Sequence, residues 1–211
     1  MNYDRARQNM VEKQLEARGI HDPRVLEAME WIRREEFVPV ELRDRAYEDC
    51  ALPIGLEQTI SQPYTVAYMC QEARISAGDK VLEIGAGSGY GAAVLSLLAQ
   101  EIHSVERMDS LARAARSRLE RLGYGKVRIH SGDGSLGLPH EAPFDAIVVT
   151  AGAESLPESY QSQLVEGGRL VIPIGPSAGQ KMYRFIRRGD KFEREDLGTF
   201  GFVPLVEGKT P

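Results

Sequence analysis

Three glycines alternate at positions 85, 87 and 89, within Val81-Leu82-Glu83-Ile84-Gly85-Ala86-Gly87-Ser88-Gly89-Tyr90. Glycine lets a backbone turn sharply and lets a ligand approach with no Cβ in the way. An apolar run precedes them, and the helix formers Ala92-Ala93-Val94-Leu95-Ser96-Leu97-Leu98 follow. This is the layout of a strand, a nucleotide-binding turn and a helix. Glu106 closes a second apolar run, Ile102-His103-Ser104-Val105, 21 residues after Gly85. An acid near that offset can accept both ribose hydroxyl protons of a nucleoside. Gly132-Asp133-Gly134 follows a third run, and Asp133 there can accept from an adenine amino group. A tight turn would explain the glycines alone, and an ordinary Asp-Gly turn would explain Asp133 alone. Three strand ends in order, each with a suitable group, point to a nucleoside site.

These groups need a scaffold that delivers them to one edge. From Lys80 the pattern alternates: strands at 80–84, 102–106, 127–130, 144–150 and 169–174, helices at 89–99, 109–122 and 155–164. Such alternation predicts a parallel sheet covered by helices on both faces, with ligands outside the carboxyl ends of the strands. Phe144–Thr150 is nearly continuous in apolar residues, as a central strand should be. Met182–Arg187 and 191–203 predict a final antiparallel pair turning at Gly189-Asp190. Upstream, residues 4–18 predict a helix ending at Gly19, and Asp22-Pro23 opens another over Arg24–Trp31. Residues 37–62 read as loops and short strands, and Gln62-Pro63 opens a helix to about Arg74. Residues 1–78 are thus expected to form a helical extension packed on an α/β core of 79–211, the two making one structural unit.

Bulk properties narrow the class. The 211 residues carry a net charge of −5 with 42% hydrophobic content. That fits one globular unit and disfavours nucleic acid or an anionic membrane as partner. Cys50 and Cys70 form no metal-type cluster, so free thiols in a reducing compartment are expected. The N-terminus reads as charged helix, not an apolar signal segment, and no apolar stretch is long enough to span a bilayer. A monomeric cytoplasmic protein without a metal is the expectation. The histidines at 21, 103, 130 and 140 are scattered along the chain and read as structural or surface residues.

A dinucleotide fingerprint would place its third glycine at 90, where this chain has Tyr. The G-x-G-x-G spacing preceded by Glu83 instead resembles the first motif of S-adenosylmethionine-dependent methyltransferases. Further segments carry the resemblance to one family. They are Thr59-Ile60-Ser61-Gln62-Pro63-Tyr64, Ser104-Val105-Glu106-Arg107, Gly132-Asp133-Gly134, Ala142-Pro143-Phe144-Asp145-Ala146-Ile147 and Phe202-Val203-Pro204-Leu205. Together, over roughly residues 10–207, they resemble protein-L-isoaspartate O-methyltransferases. The resemblance implies a Rossmann-like, doubly wound, mostly parallel sheet with an antiparallel end. It implies transfer of a methyl group from S-adenosyl-L-methionine to the free α-carboxylate of L-isoaspartyl residues, extending to D-aspartyl, in damaged proteins and peptides. The ester then collapses to a succinimide, and repair follows.

By motif match, Ser61 falls on the family's active-site serine. The cofactor set is Thr59, Ile60, Gln62, Glu83, Gly85, Ala86, Gly87, Ser88, Gly89, Glu106, Arg107, Asp133, Gly134 and Thr150. Ala86, Gly91, Ser135 and Gly201 depart from the commoner pattern. The first two leave the cofactor reading intact; Ser135 and Gly201 bear on substrate contact.

The chemistry is coherent with the residues. A carboxylate, with an ordinary pKa of about 4, is already ionised at neutral pH, so its attack on a sulfonium methyl needs no general base. An anion and a cation become neutral products, which a dry pocket favours. Ser61 and Thr59 hydroxyls can orient the carboxylate, although Ser61 taken alone reads as a helix N-cap. Two rival readings share the cofactor half: a carboxyl methyltransferase acting on aspartate in a modified peptide, and a non-catalytic cofactor-binding module. A nicotinamide oxidoreductase is disfavoured by Tyr90.

Overall fold

The computed structural model describes residues 2–176 and 179–208. Helix α1 (Tyr3–Met10) is capped by Asn2, whose side chain accepts from the Arg5 amide at 3.0 Å. The helix expected over 4–18 then changes winding, to a π turn over Val11–Leu15 and a 3-10 turn over Glu16–Arg18. Met10, Val11 and Leu15 stay buried through the change, and Gly19 ends the run at φ +94°. Helix α2 (Pro23–Trp31) starts with the Asp22 carboxylate accepting from the Arg24 and Val25 amides. Short 3-10 turns over Arg34–Phe37 and Val40–Arg45 lead to an antiparallel hairpin, β1 (Leu52–Gly55) and β2 (Gln58–Ile60). Helix α3 (Pro63–Glu72) follows directly.

The alternating half then runs β3 (Lys80–Ile84), α4 (Tyr90–Leu98), β4 (Glu101–Glu106), α5 (Asp109–Arg121), β5 (Val127–Ser131), β6 (Phe144–Val149), α6 (Glu158–Ser162), β7 (Leu164–Ile174), β8 (Gln180–Arg188) and β9 (Lys191–Phe200). One seven-stranded sheet has the order β5-β4-β3-β6-β7-β8-β9. The first five strands are parallel, and β8 and β9 are antiparallel additions. Strand order reverses between β3 and β6, and ligands of open α/β sheets sit outside the carboxyl ends at such a switch point. Lys80, Glu83 and Asp145 apart, β3 and β6 are buried by apolar layers on both faces, which is why they read as nearly continuous apolar runs.

Three expected boundaries shift, the first being the last strand, expected over 191–203, which ends at Phe200. The helix expected over 155–164 shortens to α6, because Pro157 takes the N-cap and Leu164 is drawn into register beside Phe144. Strand β7 therefore begins at Leu164 rather than at 169, with Gly167 at φ +73° near a ladder irregularity. Among the described residues, no helix is long and apolar enough to cross a membrane.

Candidate active site

The glycine turn follows β3 at the switch point. Gly85, Gly87 and Gly89 have φ of +97°, +51° and +88°, the left-handed region that side chains disfavour. Gly85 also lies against Thr150, the residue after β6: a Cβ on Gly85 would stand 2.4 Å from Thr150 Oγ1. That hydroxyl is shared between the carbonyls of Ile84 (2.9 Å) and Gly85 (2.8 Å). Glu106, at the end of β4, is buried and braces the turn. Its Oε2 accepts from the Gly87 amide at 2.9 Å, and its Oε1 from the Met108 amide at 3.0 Å. The lone pairs left over can take ribose hydroxyls.

Glu83 lies within β3, 1% exposed, and accepts from the Ser104 hydroxyl of the neighbouring strand. Burial pushes its carboxyl up to about 8. Gly91 gives it room, since a Cβ there would stand 2.2 Å from Glu83 Oε1. Asp133 accepts from the Ser135 amide (2.9 Å) and hydroxyl (2.6 Å), and from the Gly208 amide at 2.7 Å. Partial burial opposes its ionisation, but these hydrogen bonds outweigh that and hold the carboxyl below its ordinary value.

Three cavities share Thr150 as a wall. A cleft of about 520 Å³ takes in Thr59, Ser61, Gln62 and Tyr64 on one side and Phe200 to Val203 on the other. A narrower cavity holds Gly85, Gly87, Glu106, Arg107 and Gly134 under Pro204, Leu205 and Val206. A third lies between Ile60–Ser61 and the turn, reaching Glu83, Ala86, Ser88 and Tyr90. The structure thus gathers thirteen of the fifteen site residues named from the sequence around these cavities. Gly89 and Asp133 fall outside them. Gly89 packs on Leu119 and Ala115 of α5, so its role is to let the start of α4 close up against α5. Asp133 faces a shallower depression with His130 and His140. The Gln62 side chain is engaged elsewhere, donating to the Asp49 carbonyl and carboxylate at 3.1 and 2.8 Å.

Three of the four histidines, though scattered along the chain, converge in space. His103 Nδ1 and His130 Nε2 are 3.0 Å apart, and His103 Nε2 is 2.9 Å from Glu101. His140 meets His130 edge-on, with ring centroids 6.0 Å apart. The sequence hides this because β4 and β5 supply His103 and His130 from distant segments. Among the described residues, His103, His130 and Glu141 are the one group close enough to hold a metal ion. The imidazole rings of His103 and His130 are nearly coplanar, 14° apart, with centroids 5.2 Å apart. That is close to the largest separation two imidazoles can have at this N···N distance. The nitrogens therefore point at each other along a hydrogen bond and do not converge on a common centre. Burial, and His103 beside it, hold His130 below its ordinary pKa.

The glycine-turn cavities and the Ser61 cleft thus meet at Thr150. The family model described as protein-L-isoaspartate(D-aspartate) O-methyltransferase matches residues 5–210. The chain belongs to this family. The methyltransferase is 54% identical over 207 residues to protein-L-isoaspartate O-methyltransferase 2 of Pelobacter propionicus, covering 97% of this chain and 92% of the relative. It is 53% identical over 199 residues to the Rhodopseudomonas palustris enzyme, covering 93% and 91%. A solved protein-L-isoaspartate O-methyltransferase structure superposes with a TM-score of 0.84 at 32% identity, over 94% of this chain and 65% of that one. A Plasmodium falciparum structure, titled as a complex with S-adenosyl-L-homocysteine, shares the fold with a TM-score of 0.82 at 24% identity, over 95% and 98%.

Proposed function

We propose that Ser61 orients the acceptor carboxylate and that the residues around Gly85 and Glu106 hold the methyl donor beside it. The methyltransferase is an S-adenosyl-L-methionine-dependent enzyme that methylates isoaspartyl residues in proteins and so opens their repair. The observation supporting the residue assignments is that the Ser61 cleft and the Glu106 cavity share the Thr150 wall. The donor set suits the cofactor: a ribose-competent carboxylate at Glu106, apolar walls from Ile84, Val105 and Leu205, and an acid at Glu83 within reach of an amino-acid end.

When bound, the cofactor supplies an electrophilic methyl group on a sulfonium. The chain's own residues do the rest. Among the described residues, the titratable groups lining the cleft are Arg18, Asp49, Cys50 and Tyr64. Arg18 and Asp49 are paired at 3.0 Å, and burial pushes the Cys50 thiol up. None is poised as a base, and none is needed, because the acceptor is ionised from about pH 4 upward. The Ser61 hydroxyl makes no hydrogen bond to any described residue and is free to donate to the acceptor. Helix α3 begins at this cleft, with Tyr64 and Thr65 among its walls, and a helix N-terminus favours an anion beside it. Walls from Tyr64, Phe200 and Phe202 limit water around a reaction that consumes charge.

In this reading residues 1–78 form the extension that walls the acceptor side, and 79–211 form the cofactor-binding core. Asp133 is kept as the adenine partner on the motif match alone, since its neighbour Gly134 lines the Glu106 cavity while Asp133 itself lines the depression beside His130. In this reading the chain works as a monomer in the cytoplasm; its net charge of −5 disfavours nucleic acid as a partner, and its two free cysteines fit a reducing compartment. The test is Ser61→Ala assayed on an isoaspartyl peptide and its aspartyl twin. kcat is expected to fall roughly 10²-fold, as for loss of one aimed donor, with S-adenosylhomocysteine affinity unchanged. Full turnover in the variant would remove Ser61 from the mechanism. Equal methylation of the aspartyl twin would favour a broader carboxyl methyltransferase.

A further inference from the structure

Arg34 is among the largest side chains with no exposed surface. Buried guanidinium groups ordinarily sit against carboxylates, but this one makes no ion pair with any described residue. The adjacent carboxylate of Glu35 is taken by the Tyr47 hydroxyl. Arg34 instead spans two carbonyls, its Nε donating to Ala46 O and its Nη2 to Ser61 O, each at 2.7 Å. Its plane lies over the ring of Tyr90, 4.8 Å from the centroid. Nη1 has no hydrogen-bond partner among the described residues. An apolar side chain of similar size would fill the space without burying a charge, so packing alone does not explain an arginine here. The three contacts do share a purpose. Ala46 belongs to the N-terminal layer, Ser61 to the acceptor cleft, and Tyr90 opens the helix after the glycine turn.

The Ser61 carbonyl is the informative partner. The peptide between Ser61 and Gln62 is trans and planar, so a carbonyl pinned toward Arg34 sends the Gln62 N–H the opposite way, out from the buried side. That N–H, like the Ser61 hydroxyl, makes no hydrogen bond to any described residue, and both residues line the cleft. We propose that Arg34 is a positioning residue for methyl transfer, locking the Ser61–Gln62 peptide so that the Ser61 hydroxyl and the Gln62 amide both face the acceptor carboxylate. The proposal rests on the assignment of Ser61 to the acceptor. It adds a backbone donor to the site and a reason for a buried charge behind it.

Arg34→Lys keeps the charge and loses the fork that spans both carbonyls. It is expected to lower kcat on an isoaspartyl peptide ~10- to 100-fold, the scale of a small misplacement of a reacting group. S-adenosylhomocysteine affinity, measured by calorimetry, is expected to stay within about threefold, because neither Arg34 nor the Tyr90 it covers lines the Glu106 cavity. In the double variant with Ser61→Ala, the loss is expected to be little more than the larger single loss, as for residues acting as a unit. Gln62→Pro, read against Gln62→Ala to allow for the lost side-chain contacts with Asp49 and Thr65, tests the amide without altering Arg34, at a backbone φ of −49° that proline accepts. It too is expected to lower kcat while cofactor affinity holds. Wild-type kcat in Arg34→Lys, with only the melting temperature lowered, would reduce Arg34 to a structural role and overturn the proposal. Losses that multiply in the double variant would overturn it as well. Full activity in Ser61→Ala alone is a separate result: it removes the Ser61 assignment, while a loss in Gln62→Pro still supports the locked peptide.

Discussion

Gly85→Ala tests the structural reason for the most conspicuous motif in the chain. Two effects are superposed at this position. The backbone sits at φ +97°, which costs an L side chain about 1–2 kcal/mol. The added Cβ would also stand 2.4 Å from Thr150 Oγ1, far inside contact. That hydroxyl cannot swing away without leaving the carbonyls of Ile84 and Gly85. Overpacking of this kind costs about 1–3 kcal/mol, so the total expected is about 2–5 kcal/mol. Gly19 supplies the control, because it has φ +94° and nothing within 4 Å of a built Cβ. Gly19→Ala should show the backbone effect alone, about 1–2 kcal/mol. The two variants would be compared by urea denaturation, with the difference read from midpoints at equal slope. Adding Thr150→Ala to Gly85→Ala should recover part of the difference, since it removes the atom in the way. If both glycine variants cost the same within about 0.5 kcal/mol, or if Thr150→Ala recovers nothing, the steric account is wrong.

Glu106→Gln should weaken S-adenosylhomocysteine binding ~10- to 100-fold, the range for hydrogen bonds to a charged acceptor. One end of the new amide must also face a backbone N–H, of Gly87 or Met108, donor to donor. Calorimetry gives the affinity, and an unchanged value would separate Glu106 from the cofactor. Glu83 supplies a pH signature, because burial raises its carboxyl to about 8. The neutral form is the one the fold accommodates. Its contribution is therefore complete below the ordinary glutamate range and is lost as pH rises through about 8. Urea midpoints should fall between about pH 5 and 8 with a slope of at most about 1.4 kcal/mol per pH unit. Glu83→Gln should flatten that slope, and an equal slope in the variant would refute the assignment.

What the sequence discloses depends on how local the determinant is. The Gly85–Gly89 spacing and Glu106 are legible because each sits in or beside a strand end, and a parallel sheet brings strand ends together whatever the rest of the chain does. The antiparallel end is legible from alternation and the turn at Gly189-Asp190. Arg34 is not, since it stands among the charged residues Arg33-Arg34-Glu35-Glu36, and only a 3-10 turn over Arg34–Phe37 sends Arg34 and Glu35 inward. The convergence of His103, His130 and His140 requires the register of β4 on β5, with Val105 beside His130. The premature end of the 155–164 helix requires the pairing of Leu164 with Phe144. In each case a tertiary contact overrides a local pattern. The role of Gly89 is hidden for a related reason: its turn and the helix over 109–122 are both legible, but their packing against each other is not.

The cavity that holds Glu106 is closed by pieces from opposite regions of the chain. Gln58 and Thr59 wall it on one side, and Val203 to Val206 cross it on the other. The crossing segment is tied down by the Leu205 amide on Gly152 O at 2.7 Å and the Gly208 amide on Asp133. During synthesis, therefore, the strand ends that carry the recognition groups emerge well before their roof. A nascent chain can assemble the sheet, yet it has no complete pocket until the residues around 205 leave the ribosome. The same dependence runs in reverse under proteolysis. A single nick near residue 203 would leave the sheet standing and strip the enzyme of the protection its cofactor provides.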